Sequence, residues 1–289
     1  MLVTIRNEQV TLCVSTVGAE KVSLKTTSGK EYLHQPDEFW SSSAPFLFPI
    51  VGRLKNGFTL LDTKEYHLPL HGFLRNQEFE ILQQKEDEVT LVNIHNKETL
   101  AMYPYQYKVF VTYQLKNMSV RTSVRISNHS NKTMPFNFGG HPGFNIPLYP
   151  GETFEDYRLI FKTSEKFSSP LVESDGTINY NAPWLCFTDL KELPLEYRYF
   201  DNDAIIIPRV RSEEVLLVNK QHQGIRFTYL DFVTLAIWTR PTAKFVCLEP
   251  WIGHGDRYDT THDFMKKDNL IFLEPTKDFN IGYTITILE

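Results

Sequence analysis

Apolar positions in this chain recur at every second residue far more often than at every third or fourth. "KVFVTYQL" (108–115) and "SVRTSVRIS" (119–127) alternate apolar and polar side chains on either side of Lys116-Asn117 and read as a hairpin. "FEILQQ" and "VTLVNI" repeat the pattern around the charged turn "KEDE" (85–88). Later runs follow at 204–210, 214–220, 224–230, 234–240, 244–251, 269–275 and 282–288. A period of two sends alternate side chains to opposite faces of a strand. Strands at such intervals, with turn residues between them, predict an all-β protein built as a large antiparallel sandwich or barrel. Helical periodicity is scarce. "KDFNIGYTITILE" closes the chain as a strand, so the C-terminus is expected to be tied into a sheet. No linker, low-complexity tract or clear repeat breaks the pattern, and a single domain over residues 1–289 is the expectation.

Composition narrows the function. The 289 residues are 42% hydrophobic, enough for a sizeable core. A net charge of -5 argues against nucleic acid as the main partner, because phosphate binding needs clustered Lys and Arg. The first ten residues, "MLVTIRNEQV", carry charge by residue 6 and lack a secretory apolar region. No apolar run approaches the roughly 20 residues that span a bilayer, so no membrane association is expected. Three cysteines, Cys13, Cys186 and Cys247, are odd in number and far apart. They form neither a disulfide framework nor a zinc motif, and a reducing, cytoplasmic setting is expected. In that setting the Asn-x-Ser/Thr triplets at Asn117, Asn128 and Asn131 read as polar turn residues.

Five segments depart from the strand pattern. They are "FPIVGRLKNG" (48–57), "LHGFLRNQEFE" (70–80), "GGHPGFN" (139–145), "DNDA" (201–204) and "CLEPWIGHGD" (247–256). Each mixes Gly or Pro with a titratable group, as loops that carry binding or catalysis on a rigid sheet do. His141 follows two glycines and precedes a proline, which suggests a stiff, uncrowded turn where an imidazole can meet a ligand. Its ordinary pKa lets it hold or give a proton at neutral pH; the plain alternative is a turn histidine bonded to backbone. Glu249 sits among apolar neighbours at what reads as a strand end, just before Pro250. It is a general-base candidate whose pKa burial would raise, or else an edge carboxylate in water. Trp251 close behind offers an aromatic face. His71 precedes Gly72, with Arg75 four residues on. Arg53 follows a glycine and suits the gripping of hydroxyls or carboxylates. Asp203 stands at the mouth of an apolar strand and reads equally as a turn aspartate.

Metal has little support, since H-x-x-H, H-E-x-x-H and C-x-x-C spacings are all missing. His254 and His262, with Asp256, Asp259 and Asp263, could attract a cation but read better as a solvated loop. No G-x-G-x-x-G, P-loop or G-x-S-x-G pattern occurs, so neither a nucleotide cofactor nor a serine nucleophile is expected.

With these clusters in view, the chain resembles the aldose 1-epimerase (galactose mutarotase-like) family, and within it the shorter subgroup sometimes encoded in lactose operons. The carriers are "VGRLKNG", "HGFLR", "FNFGGHPGFN", "FDNDA" and "CLEPWIGHGD", in that order, with "FLEPTKDFNIGYTI" resembling the closing strands. The resemblance implies a β-supersandwich. It also implies that His141 is the general acid, that Glu249 is the general base, and that His71, Arg53 and Asp203 hold sugar hydroxyls. A small sugar such as galactose or glucose would be the substrate, with no cofactor; a homodimer is left open. Two departures bear on the sugar: Asp203 is followed by Ala204 where many members carry histidine, and Glu249 by Pro250-Trp251 where better-studied galactose mutarotases carry Thr-Gln. Three alternatives stand beside this reading. The first is the same chemistry on a hexose 6-phosphate, with Lys55, Arg75 and Arg240 as candidate cations. The second is a non-catalytic sugar-binding protein. The third is a sandwich glycosidase or lyase using Asp203 with Glu249.

Overall fold

The computed structural model describes residues 1–289 and is built mostly of strands. The largest sheet has nine, in the order Ile178–Pro194, Arg158–Val172, Glu214–Val218, Gly224–Thr228, Asp278–Leu288, Ser119–Asn128, Tyr107–Lys116, Glu88–Ile94 and Glu80–Gln84. Every pairing in it is antiparallel. The expected hairpin is there: Lys116 pairs with Ser119 across a turn in which Asn117 takes φ +51°, a conformation its short polar side chain tolerates. Tyr107, Val109, Val111, Tyr113 and Leu115 all face inward, as the alternation requires. The C-terminal strand is central to this sheet, between Gly224–Thr228 and Ser119–Asn128.

A six-stranded antiparallel sheet packs against the first. Its path runs Ile205–Pro208, Thr234–Trp238, Phe245–Ile252, Phe138–Gly140, Phe46–Leu47, and Gly143–Asn145 also pairs with Phe245–Ile252. Side chains from both sheets meet in one core cluster of 63 buried residues, in which Val109, Val111 and Ile285 join Ile205, Ile207, Leu235, Ile237, Val246 and Leu248. This is the large antiparallel β-supersandwich that the resemblance implies, and it settles the choice of sandwich or barrel that the alternation left open. The only α-helix is Lys97–Met102, opened by a capping box from Asn96 to Thr99. No helix is long and apolar enough to cross a membrane.

Phe245–Ile252 reads as a nearly continuous apolar run because both of its faces are covered. Val246 and Leu248 enter the main core, whereas Trp251 belongs to a second cluster with Leu47, Val51, Ile178, Ala204, Ile206 and Ala236 on the opposite face. Glu249 shares that opposite face by the period of two. The strand does not end at Pro250 as expected; it continues to Ile252, so Glu249 lies in its interior. Leu248 donates its amide to Pro142, and position 250 points its backbone nitrogen the same way. That side faces the break between Phe138–Gly140 and Gly143–Asn145, so the amide that proline lacks costs no ladder bond. Two other expected strands are shorter than the apolar pattern, at Ile205–Pro208 and Ile271–Leu273.

Candidate active site

His141 and Pro142 bridge that break. Gly139 pairs with Trp251 and Gly143 with Cys247, so the ladder suspends the imidazole opposite Glu249. The His141 amide donates to the Pro45 carbonyl at 3.0 Å, which anchors the bridge from a third segment. His141 Nε2 lies 3.1 Å from Glu249 Oε2, and both residues are buried.

The glycines around His141 serve a different purpose from the one the sequence suggests. Phe138–Gly140 is a regular strand rather than a turn, and Gly139 and Gly140 need no positive φ. What they need is room. A Cβ on Gly139 would lie 2.7 Å from the Trp251 indole, one on Gly140 2.9 Å from the Tyr283 ring, and one on Gly143 2.7 Å from the Trp40 indole. Aromatic rings therefore press directly on the backbone that carries the histidine. Trp40 stacks on the imidazole at 4.8 Å, while His71 and Trp238 meet it edge-on at 5.6 and 5.7 Å.

A pocket of about 700 Å3 opens in front of the pair. All seven residues singled out from the sequence line it: Arg53, His71, Arg75, His141, Asp203, Glu249 and Trp251. Trp40, Trp238 and Glu20 also line it, and the sequence reading missed all three. Trp40 lies in an aperiodic stretch, "EFWSSSAPF", where a large aromatic among polar residues is the one available signal. A larger concavity of about 880 Å3 lies on the nine-stranded sheet, lined chiefly by Thr, Ser, Arg and apolar side chains and holding no histidine or glutamate.

Burial sets the electrostatics. It pushes the Glu249 carboxyl well above the usual carboxylate range; the Asp203 charge adds to this and the Trp251 indole opposes it. Burial also pushes His141 down to about 3. The expectation of a raised glutamate therefore holds, but a standing imidazolium is disfavoured in the free site. A low-dielectric surrounding penalises the charged form of each partner. The pair behaves as one unit that holds a single proton most easily as protonated glutamate with neutral imidazole.

His71 takes φ +64°, a left-handed conformation rare for a side chain of this size, and Gly72 follows at +72°. The constraint has a purpose in the hydrogen bonds. His71 donates its amide to the Gly52 carbonyl at 2.8 Å, and the Gly52 amide donates back to His71 Nδ1 at 3.0 Å. Burial, aided by the charges of His141, Arg75 and Arg53, holds this imidazole neutral. With Nδ1 accepting, the ring proton sits on Nε2. Asp203 accepts from the Ala204 amide at 2.7 Å and stays exposed at the pocket mouth; partial loss of water raises its carboxyl.

Arg53 is held through its backbone. The Asp256 amide donates to the Arg53 carbonyl at 2.8 Å, and Gly176 passes so close that a Cβ there would lie 3.0 Å from Arg53 Nε. The segment bearing His254 and Asp256 is thus no solvated loop. His254 and Asp256 are buried; Lys267 Nζ bonds Asp256 at 2.5 Å, and His254 Nε2 lies 3.3 Å from Asp268. Its buried ion pair braces the wall that presents Arg53. Lys55, a candidate phosphate ligand by sequence, is turned away from the pocket and donates to the Tyr258 carbonyl.

The whole-chain comparisons agree with this architecture. A family model for aldose 1-epimerase matches residues 1–251. The plasmid-encoded LacX protein of Lactococcus lactis subsp. lactis is 35% identical over 299 aligned positions, covering 100% of both chains. A galactose mutarotase-related enzyme from Lactobacillus acidophilus superposes with a TM-score of 0.93 at 33% identity, covering 100% of this chain and 98% of that one. A galactose mutarotase-like protein from Lactobacillus casei follows at TM-score 0.90 and 26% identity, covering 99% and 100%. This chain belongs to the aldose 1-epimerase family.

Proposed function

We propose that this protein interconverts the α and β anomers of a hexose such as galactose or glucose by acid–base ring opening. The observation that carries the reading is the buried His141–Glu249 pair, 3.1 Å apart at the wall of a sugar-sized pocket. Two oxygens share the anomeric carbon, and a close imidazole–carboxylate pair can address both at once.

In this reading the pair's one proton shifts from Glu249 to His141 across their 3.1 Å contact, and Glu249 then takes the proton of the C1 hydroxyl while His141 gives its proton to the ring oxygen. The C1–O5 bond opens to the free aldehyde. Rotation about C1–C2 presents the other carbonyl face, and the reversed transfers close the ring as the other anomer. Ring opening leaves protonated glutamate beside neutral imidazole, the arrangement that burial favours. Each positioned acid or base typically contributes about 10²–10⁴-fold. The Nε2–H of His71, the Arg53 guanidinium and the Asp203 carboxylate are suited to fix the hydroxyls, and Trp251 and Trp40 offer apolar faces to the ring. The chemistry involves no redox change and no group transfer, so it calls for no cofactor. Three free cysteines suit a reducing cytoplasm.

A specific observation favours a second reading, in which the hexose carries a 6-phosphate. Arg53, Arg75 and Arg240 all line the pocket, and none of the three guanidinium groups makes an ion pair or a hydrogen bond to the protein. Of the nine arginines elsewhere, Arg6, Arg125, Arg158, Arg198, Arg226 and Arg257 pair with a carboxylate, whereas Arg121, Arg209 and Arg211 do not. Unpaired arginines gathered at one cavity suit an anionic substituent.

Polarimetry on freshly dissolved α-glucose, α-galactose and α-glucose 6-phosphate tests both readings. Faster equilibration of a free sugar supports the first, and of the phosphate ester alone the second. Binding of a sugar with no gain in rate over buffer would overturn both in favour of a non-catalytic sugar-binding protein.

A further inference from the structure

Cys247 is the ionisable group beside the pair that ring opening leaves unused. It precedes Glu249 by two residues on one strand, so the two side chains leave the same face. Gly143 pairs with Cys247, and His141 stands two residues before that glycine. One donor atom from each of His141, Cys247 and Glu249 lies within 4.8 Å of the other two. The three residues are 7%, 0% and 2% exposed. A second observation is independent of this proximity: His141 Nδ1, the ring nitrogen turned from Glu249, is buried and has no hydrogen-bond partner in the protein. Buried polar atoms are normally satisfied, so this is unspent ligand capacity.

We propose that His141, Cys247 and Glu249 form a binding site for a thiophilic divalent cation of the Zn2+ type, and that its occupancy switches the pocket off. Imidazole, thiolate and carboxylate are the donors zinc takes, and three of them with an open fourth position is a familiar coordination set. Zinc bonds of about 2.0–2.3 Å place tetrahedral donors about 3.3–3.6 Å apart, so a closure of about 1 Å by side-chain rotation completes the set. His141 and Glu249 line the pocket, which gives the ion an entry path, while Cys247 is fully buried beside them. As the S–Zn and O–Zn bonds form, the thiol proton and the proton held by Glu249 both leave to solvent; no electron moves. The ion then occupies lone pairs that ring opening needs, so metal and turnover exclude each other. Mg2+ and Ca2+, which prefer oxygen donors, should not compete.

The test is Zn2+ titration of the whole protein against a chromophoric chelator, with Co2+ absorption as a second readout. Expected are one tight Zn2+ per chain and a near-ultraviolet thiolate-to-Co2+ band. Cys247→Ser and Cys247→Ala should each weaken Zn2+ at least tenfold and keep metal-free activity, whereas Cys186→Ser should change neither. Zinc should inhibit the wild type reversibly, with activity restored by chelator. No stoichiometric Zn2+ on the wild type, or a Co2+ complex without the thiolate band, overturns the proposal, whatever the Cys247 variants do. These binding readouts do not depend on the sugar, so failure of the mutarotase reading would leave them interpretable.

Discussion

The Gly52 amide donates to His71 Nδ1 at 3.0 Å, and this one bond decides which nitrogen of the ring carries the proton. His71 cannot be a base through Nδ1, because that lone pair is taken, and burial keeps the ring neutral. It is left as an Nε2–H donor. His71→Ala removes the donor and should raise KM by about tenfold, the worth of roughly one hydrogen bond, with a smaller change in kcat. The check is steady-state anomer exchange on the preferred sugar; unchanged KM would take His71 out of the substrate site.

Glu249→Gln should lower the exchange rate by about 10²–10⁴-fold, since the amide keeps the shape but cannot accept the proton. Glu274 provides an internal control in a second Leu-Glu-Pro. It is exposed after the strand Ile271–Leu273, where it accepts from Thr133 at 3.0 Å. Glu274→Gln should leave the rate unchanged. Equal losses in the two variants would remove the base from Glu249.

Gly139→Ala and Gly143→Ala test whether the backbone beside His141 is set by contact with tryptophan. Each added methyl meets an indole at 2.7 Å. Overpacking of this kind costs about 1–3 kcal/mol. Both variants should melt lower and lose activity, while Gly151→Ala, with open space around it but φ +83°, should cost stability alone. Full activity in Gly139→Ala would show that the indole yields without moving the imidazole.

Arg240→Ala separates the two candidate sugars. Arg240 lies over Trp238 at the pocket wall with no ion pair. If the substrate carries a 6-phosphate, the variant should raise KM for the phosphorylated sugar by at least tenfold and leave any activity on the free sugar unaltered. Equal effects on both would mean the guanidinium reads hydroxyls instead.

Lys21 gives the protein a pH dependence of stability. Its Nζ donates to Tyr283 Oη at 2.6 Å amid the rings of Phe46, Tyr113 and Tyr283, and burial lowers its pKa to about 7 against the opposing pull of Glu20. Between about pH 7 and the unfolded value of about 10.4, the unfolded chain holds a proton that the folded one lacks. Stability from this group therefore rises with pH across that window, by up to about 1.4 kcal/mol per unit, and its cost is full below pH 7. Lys21→Met should stabilise the protein at pH 7, with a gain that shrinks toward pH 9. Denaturant unfolding at both pH values measures it; a gain independent of pH would rule out the shifted lysine. Buried tyrosines such as Tyr283, whose hydroxyl burial pushes well up, impose the opposite slope above about pH 10, so the comparison stops below that.

The period of two was enough to read an antiparallel sandwich or barrel, the 108–127 hairpin and the C-terminal strand, because strand faces are chosen by which side chains avoid water and that information is local. The glycine- and proline-bearing segments were enough to nominate His141, Glu249, His71 and Arg53, because interruptions of a strand pattern mark where a chain does something besides pack. The same evidence misjudged the reason for Gly139 and Gly140 and the end of the strand at Pro250. Both depend on what lies across the ladder, a tryptophan in one case and a gap in the other. Trp40 and Trp238 went unnoticed, since an aromatic residue looks alike whether it faces a core or a cavity.

The sequence by itself determined which residues could carry a proton or grip a hydroxyl, and that they ride on antiparallel strands. Only the tertiary structure decided that residues from 53 to 251 share one pocket, that His141 faces Glu249 at 3.1 Å, and that Cys247 lies within reach of both. The reason is physical: alternation is written in neighbouring residues, whereas pairing register and desolvation are made by segments a hundred residues apart, and these fix both the distance between two groups and the charge each can hold.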